Sequence, residues 1–151
     1  MTRYAAVLFA LAFGGCHSPL PESETRPPGR DILPQMEIRA ALQGEVDFAR
    51  HVAPVLRERC LYCHEPAEMP GRYSLARRAD AFADAGAGPR IVPGRPGASR
   101  LVQVLGEGHP GTSTMPAVGD QLTDGERGIL TRWVAQGAPW PEGPGGDLRS
   151  R

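Results

Sequence analysis

The sequence predicts an all-α domain of about three helices joined by long loops. Three observations carry this reading. Apolar residues recur at helical spacing in three short segments. A helix-start residue stands before each of them: Asp47, Ser99 and Thr123. Runs rich in Gly and Pro separate the segments and flank the whole unit.

The first segment is Asp47 to Arg59, with Phe48, Val52, Val55 and Leu56 on one face. Pro54 lies inside that pattern and calls for a kink or a late helix start. The second is short, Ser99 to Leu105, with Leu101, Val102 and Leu105 apolar. The third opens on Thr123-Asp124-Gly125-Glu126, which has the capping-box pattern. Ile129, Leu130, Trp133 and Val134 follow as a stripe, and Gly137 closes the helix. Between Arg72 and Gly97 the chain reads as loop, with Tyr73-Ser74-Leu75 and Ile91-Val92 extended. The folded unit is therefore expected over 45–141, enough for one small domain. From His17 to Gly44 the prolines and charges predict a tether, with a short helix over Met36 to Leu42. The tail 142–151 is expected to fray.

The chemistry is concentrated in Cys60-Leu61-Tyr62-Cys63-His64. A C-x-x-C-H run is the covalent attachment site of haem c. The two thiols add to the two vinyl groups of one porphyrin, and the adjacent imidazole ligates iron. Other readings of the two cysteines exist. A thioredoxin-type dithiol opens a helix, whereas here the apolar run precedes the cysteines. A closed zinc site wants four ligands, and no second Cys/His pair follows. A plain disulfide is the bland alternative.

Haem iron has a sixth position, and what fills it largely separates electron transfer from catalysis. Thr114-Met115-Pro116 supplies a thioether. His109 is the rival ligand, and an open site is the third possibility. Met69 follows the motif too closely to reach the opposite haem face. Trp133 and Trp140 read as core, with one indole N–H as a candidate donor to a haem propionate. Arg72, Arg90 and Arg95 are candidate propionate partners. His51 reads as a lone surface or core histidine.

Residues 1–16 read as an export signal, with Arg3, an apolar run from Tyr4 to Phe13, then Gly14, Gly15 and Cys16. The run is too short to span a bilayer. Leu11-Ala12-Phe13-Gly14-Gly15-Cys16 resembles a bacterial lipoprotein signal, which implies lipid on Cys16 and a signal peptide over 1–15. Lipid on Cys16 and haem on Cys60 and Cys63 account for all three cysteines of the chain. The expected location is then the periplasmic face of a bacterial membrane, anchored through lipid. The 17 basic residues, all arginine, balance 17 acidic ones. That balance gives no electrostatic case for nucleic acid.

Taken together, the motifs resemble one family. Phe48 to Leu56 leading into Cys60–His64, then Ile91-Val92-Pro93-Gly94 to Leu101, then Met115-Pro116, and finally Leu122 to Glu126 with Leu130 to Pro141, are similar to the planctomycete-type cytochrome c domain. The resemblance spans about 46–141. It implies an all-α cytochrome c fold around one covalent haem, with His64 proximal and Met115 distal. The function so implied is a single-electron carrier exchanging with donor and acceptor proteins, and not an enzyme. The alternatives are a peroxidase-like or gas-binding haem protein with a labile sixth ligand, and a haem-bearing subunit of a larger redox complex.

Overall fold

The longest helix shows most plainly why these residues fold as they do. In the computed structural model α6 spans Asp124–Ala135. The Thr123 hydroxyl accepts from the Glu126 amide at 3.2 Å, and the Glu126 carboxylate accepts from the Thr123 amide at 3.0 Å. That reciprocal pair is the capping box the sequence predicts. Ile129, Leu130, Trp133 and Val134 are all buried. Gly137 ends the helix at φ +99°. Its amide bonds to the Val134 carbonyl, and that of Ala138 to the Trp133 carbonyl. Together these bonds form a Schellman motif.

The structure describes residues 29–65, 74–83, 89–106 and 114–149. The signal, Cys16, Met69, Arg72 and His109 lie outside them. Among the described residues are six α-helices and no strand. They are α1 (Gln35–Gln43), α2 (Ala53–Arg59), α3 (Leu61–His64), α4 (Arg78–Ala81), α5 (Arg100–Gln103) and α6. None is long and apolar enough to cross a membrane. The fold is all-α, as expected, with more and shorter helices than the three predicted.

The first predicted helix is split. Phe48–Val52 forms a π-turn that passes directly into α2. The Ala53 amide reaches back five residues to the Phe48 carbonyl. Pro54 then sits in the first turn of α2, where its missing amide is tolerated. Asp47 caps the π-turn, accepting from the Arg50 amide at 2.7 Å. The second predicted helix is reduced to α5, and Ser99 does not cap it. The Ser99 hydroxyl is fully buried and accepts from the Val92 amide instead, which ties Ile91-Val92 to the start of α5. Short α4 lies in a stretch the sequence reads as loop.

The packed unit is wider than 45–141 at both ends. Upstream, Leu33, Ile38 and Ala41 are buried, and α1 lies across α6. Gly125 and Gly128 make that approach possible: a Cβ on either would come within 2.7 Å of Ile38 or 2.8 Å of Leu42. Residues 29–44 therefore belong to the fold and not to a tether. Downstream, Leu148 is buried, its amide bonds to the Ala76 carbonyl at 2.8 Å, and its carbonyl accepts from Arg57. Trp140 anchors this segment. Its ring lies 4.5 Å from that of Phe48, and its indole N–H donates to the Gly146 carbonyl. The expected fraying is absent through Arg149, because tertiary contacts supply what Pro and Gly composition does not. The Trp133 indole N–H donates to the Pro139 carbonyl. Both indoles are core, as expected, and both N–H groups are committed to backbone, so neither serves a propionate.

Candidate haem site

Helix α2 delivers the motif. It ends at Arg59, and the Cys60 amide still bonds to the Leu56 carbonyl. Cys60 breaks from helical geometry at φ −123°, then α3 resumes. The amides of Cys63 and His64 both bond back to the Cys60 carbonyl, at 3.2 and 3.0 Å. One turn of helix thus carries both thiols and the imidazole. The chain later returns, with the Leu75 amide on the His64 carbonyl at 2.9 Å. Cys60 is buried and Cys63 half-buried. Burial pushes the Cys60 thiol up to about 12, against the opposing pull of Arg59.

Met115 arrives from the loop ahead of α6. Its amide donates to the Val104 carbonyl, just past α5, at 2.7 Å. The Pro116 carbonyl accepts from the Gln121 side chain, and Gly119 turns the loop at φ +79°. Cys60, Cys63, His64 and Met115 all line one cavity of about 450 Å³. Leu75, Leu101, Leu105 and Leu122 are among its walls. Tyr62, 83% exposed, and Val118, 63% exposed, stand where it opens to solvent. The fold therefore brings together all four residues expected to hold haem, although they lie as far apart as positions 60 and 115.

The residues present fit haem c. Two thiols are spaced three apart on one turn, an imidazole follows, and Met115, which carries a soft thioether, lines the same largely apolar cavity. The cavity falls in the range of about 300–1,000 Å³ that ligand pockets occupy. Its walls also argue for a large apolar body. Among the described residues no group of three or more His, Cys, Asp or Glu is placed to hold a metal ion, so the closed zinc alternative gains no ligand cluster there.

Three charged residues line the same cavity and were not singled out as site residues from the sequence: Glu58, Arg59 and Asp120. Periodicity gives no signal for them, and Arg59 meets Asp120 and Glu126 only across the fold. His51 is buried, accepting from the Asp47 amide through Nδ1 and paired with Glu37 through Nε2. It takes no part in the cavity.

The all-helical fold, with its C-x-x-C-H turn and a distant methionine on one largely apolar cavity, is similar to what a cytochrome c domain needs. Residues 60–117 match the family model described as Planctomycete cytochrome C, the family that the motifs resemble. The matched segment contains Cys60, Cys63, His64 and Met115. Comparison with curated proteins and with solved structures gives no match.

Proposed function

We propose that the chain is a monohaem c-type cytochrome that carries single electrons at the periplasmic face of a bacterial membrane, anchored through lipid on Cys16. Haem c bound in the cavity supplies a one-electron Fe(II)/Fe(III) couple. Cys60 and Cys63 hold it covalently, His64 is the proximal ligand and Met115 the distal one. The leucine walls exclude water from the porphyrin faces, which keeps the dielectric low around the iron. Tyr62 and Val118 lie where donor and acceptor proteins approach.

The single observation that carries the reading is the shared cavity of Cys60, Cys63, His64 and Met115. With His64 and Met115 as its two ligands, a haem iron held here would favour electron transfer over catalysis. The test is a pyridine haemochrome assay on denatured protein, followed by spectra of the reduced protein with carbon monoxide. One haem per chain retained through denaturation, and no ready carbon monoxide complex, are expected. Haem extracted by denaturant, or rapid carbon monoxide binding, would replace the carrier with a different haem protein or with none. For the anchor, Cys16→Ser is expected to move the protein from the membrane to the soluble fraction with its haem intact, since stable anchoring takes more than one acyl chain.

A further inference from the structure

The segment that leads back to Cys16 joins the fold beside the cavity mouth. Gly29, the first described residue, donates its amide to the Gln121 carbonyl at 3.0 Å. A Cβ at Gly29 would lie 2.7 Å from Cβ of Asp120 and 2.9 Å from Nη1 of Arg59. Asp120 and Arg59 both line the cavity, and so does Val118, two residues before Asp120. Val118 and Tyr62 are the exposed apolar residues of the mouth.

Length turns that position into a constraint. Thirteen peptide steps separate Cys16 from Gly29. A chain spans at most about 3.3–3.6 Å per residue, so Gly29 lies within about 45 Å of a lipid held on Cys16. A folded unit of about 120 residues has a radius of gyration of about 14 Å. The reach is thus comparable to the width of the domain itself, and the side that carries the attachment is the side kept nearest the membrane.

Charge narrows what can sit against that side. Glu58 is exposed and Asp120 is 71% exposed, and both line the cavity. The arginine that lines it among the described residues, Arg59, is held by buried Glu126 at 3.1 Å, and lies 3.8 Å from Asp120. A bare lipid surface would strip water from the two carboxylates and supply no counter-charge. A protein face that offers basic groups would pair with them and would steer the encounter. Building on the haem and lipid readings above, we infer that the cavity mouth is a docking surface turned toward the membrane, and that its occupant is a redox protein held in that same membrane, with basic residues around its own electron-transfer centre. One electron passes between that centre and the haem iron at each encounter, and no bond forms or breaks.

The probe is the chain's own membranes, washed, carrying the lipidated haem protein and supplied first with NADH and then with oxygen. Haem reduction and reoxidation are followed by absorbance. Wild type should turn over, and Cys16→Ser protein added at the same submicromolar total should turn over about a hundredfold more slowly, because anchoring supplies the effective concentration. Inserting about forty Gly/Ser residues after Pro28 should slow turnover several-fold, as a longer linker dilutes the domain. A mouth facing away from the membrane predicts the reverse, an unchanged or faster rate as the domain gains freedom to turn. Glu58→Gln/Asp120→Asn should slow turnover several-fold at low ionic strength and converge with wild type at high salt. The inference is overturned if the membranes do not turn the haem over, if Cys16→Ser protein or the lengthened chain matches or exceeds wild type, or if the neutralised pair keeps the wild-type rate and salt dependence. Failure of the readings beneath it has separate signatures. Mature protein whose mass shows no lipid on Cys16 would remove the anchor, and a pyridine assay without covalent haem would remove the cofactor.

Discussion

Arg59 and Glu126 form a buried ion pair that joins the last residue of α2 to the first turn of α6. The carboxylate is fully buried and accepts four hydrogen bonds: two from Arg59, one from the Ile32 amide and one from the Thr123 amide. No lone pair direction is left to waste, which is what makes a buried charge tolerable. The same carboxylate therefore caps α6, pins the 29–33 segment and holds the helix that carries Cys60.

Removing it should be severe. Glu126→Ala leaves Arg59 buried without a counter-charge and deletes half of the capping box. Breaking a buried pair from one side costs about 3–5 kcal/mol. Glu126→Gln keeps an acceptor for Thr123 and should lose less. Denaturant unfolding of the haem-loaded proteins measures both. A loss below about 1 kcal/mol for the alanine variant would show that the pair is not structural.

The glycines under α1 give opposite expectations at two sites. Replacing a helical glycine by alanine favours the helix by about 1 kcal/mol. At Gly128 the new methyl meets the tip of Leu42, a half-exposed side chain that swings aside. Gly128→Ala should be neutral to stabilising by up to about 1 kcal/mol. At Gly125 the methyl meets Cγ2 of Ile38, which is buried and stiff about χ1. Gly125→Ala should destabilise by about 1–3 kcal/mol, as overpacking does. Thermal unfolding of the two variants side by side checks the contrast, and equal shifts would refute the packing argument.

These contacts mark the border of what the sequence made legible. Local grammar was readable: the capping box of α6, its stripe, its terminal Gly137 and the C-x-x-C-H turn all rest on residues a few positions apart. The kink at Pro54 was readable too, though not that it takes the form of a π-turn. Contacts across the chain were not. Arg59 and Glu126 are separated by 67 positions, and nothing in either segment announces the other. Residues 29–44 look like a tether because their prolines disfavour regular structure. They fold because Ile38 and Leu42 find a groove that only glycine provides. Gly146 is hidden in the same way: a Cβ there would lie 1.9 Å from the Pro141 carbonyl oxygen, so the Gly-rich tail is a fitted cover for Trp140. Met115 was visible as a methionine in a shaped loop, but its place in the same cavity as His64 is a property of the fold.

Acid should test the link between α1 and the π-turn. Arg50 first, and His51 next, hold the Glu37 carboxyl below its usual range through side-chain hydrogen bonds. A carboxylate with a lowered folded pKa stabilises the fold above its unfolded value, about 4.3, and loses that contribution as pH falls through the folded value. Wild type should therefore lose stability more steeply than Glu37→Gln from about pH 5 downward. Arg50 is exposed and Glu37 only part-buried, so the difference should shrink in high salt. Parallel acid curves for the two proteins would place the acid sensitivity elsewhere.

The sharpest functional expectation concerns Met115. A thioether is a soft ligand that stabilises ferrous iron and raises the potential. In ferric low-spin haem it also gives a weak far-red absorption band. Met115→Ala should abolish that band, lower the potential and admit carbon monoxide to the reduced iron. Met115→His should keep a six-coordinate iron at a lower potential. The loop itself should survive these changes, because the Met115–Val104 and Gln121–Pro116 hydrogen bonds involve the backbone at 115 and 116 and not the thioether. His109→Ala is the discriminating control. If it opens the iron to carbon monoxide while Met115→Ala does not, the distal ligand is His109, and the protein is a bis-histidine carrier of lower potential. If both variants leave the iron closed, the ligand comes from neither residue, and Met115 lines the cavity only as packing.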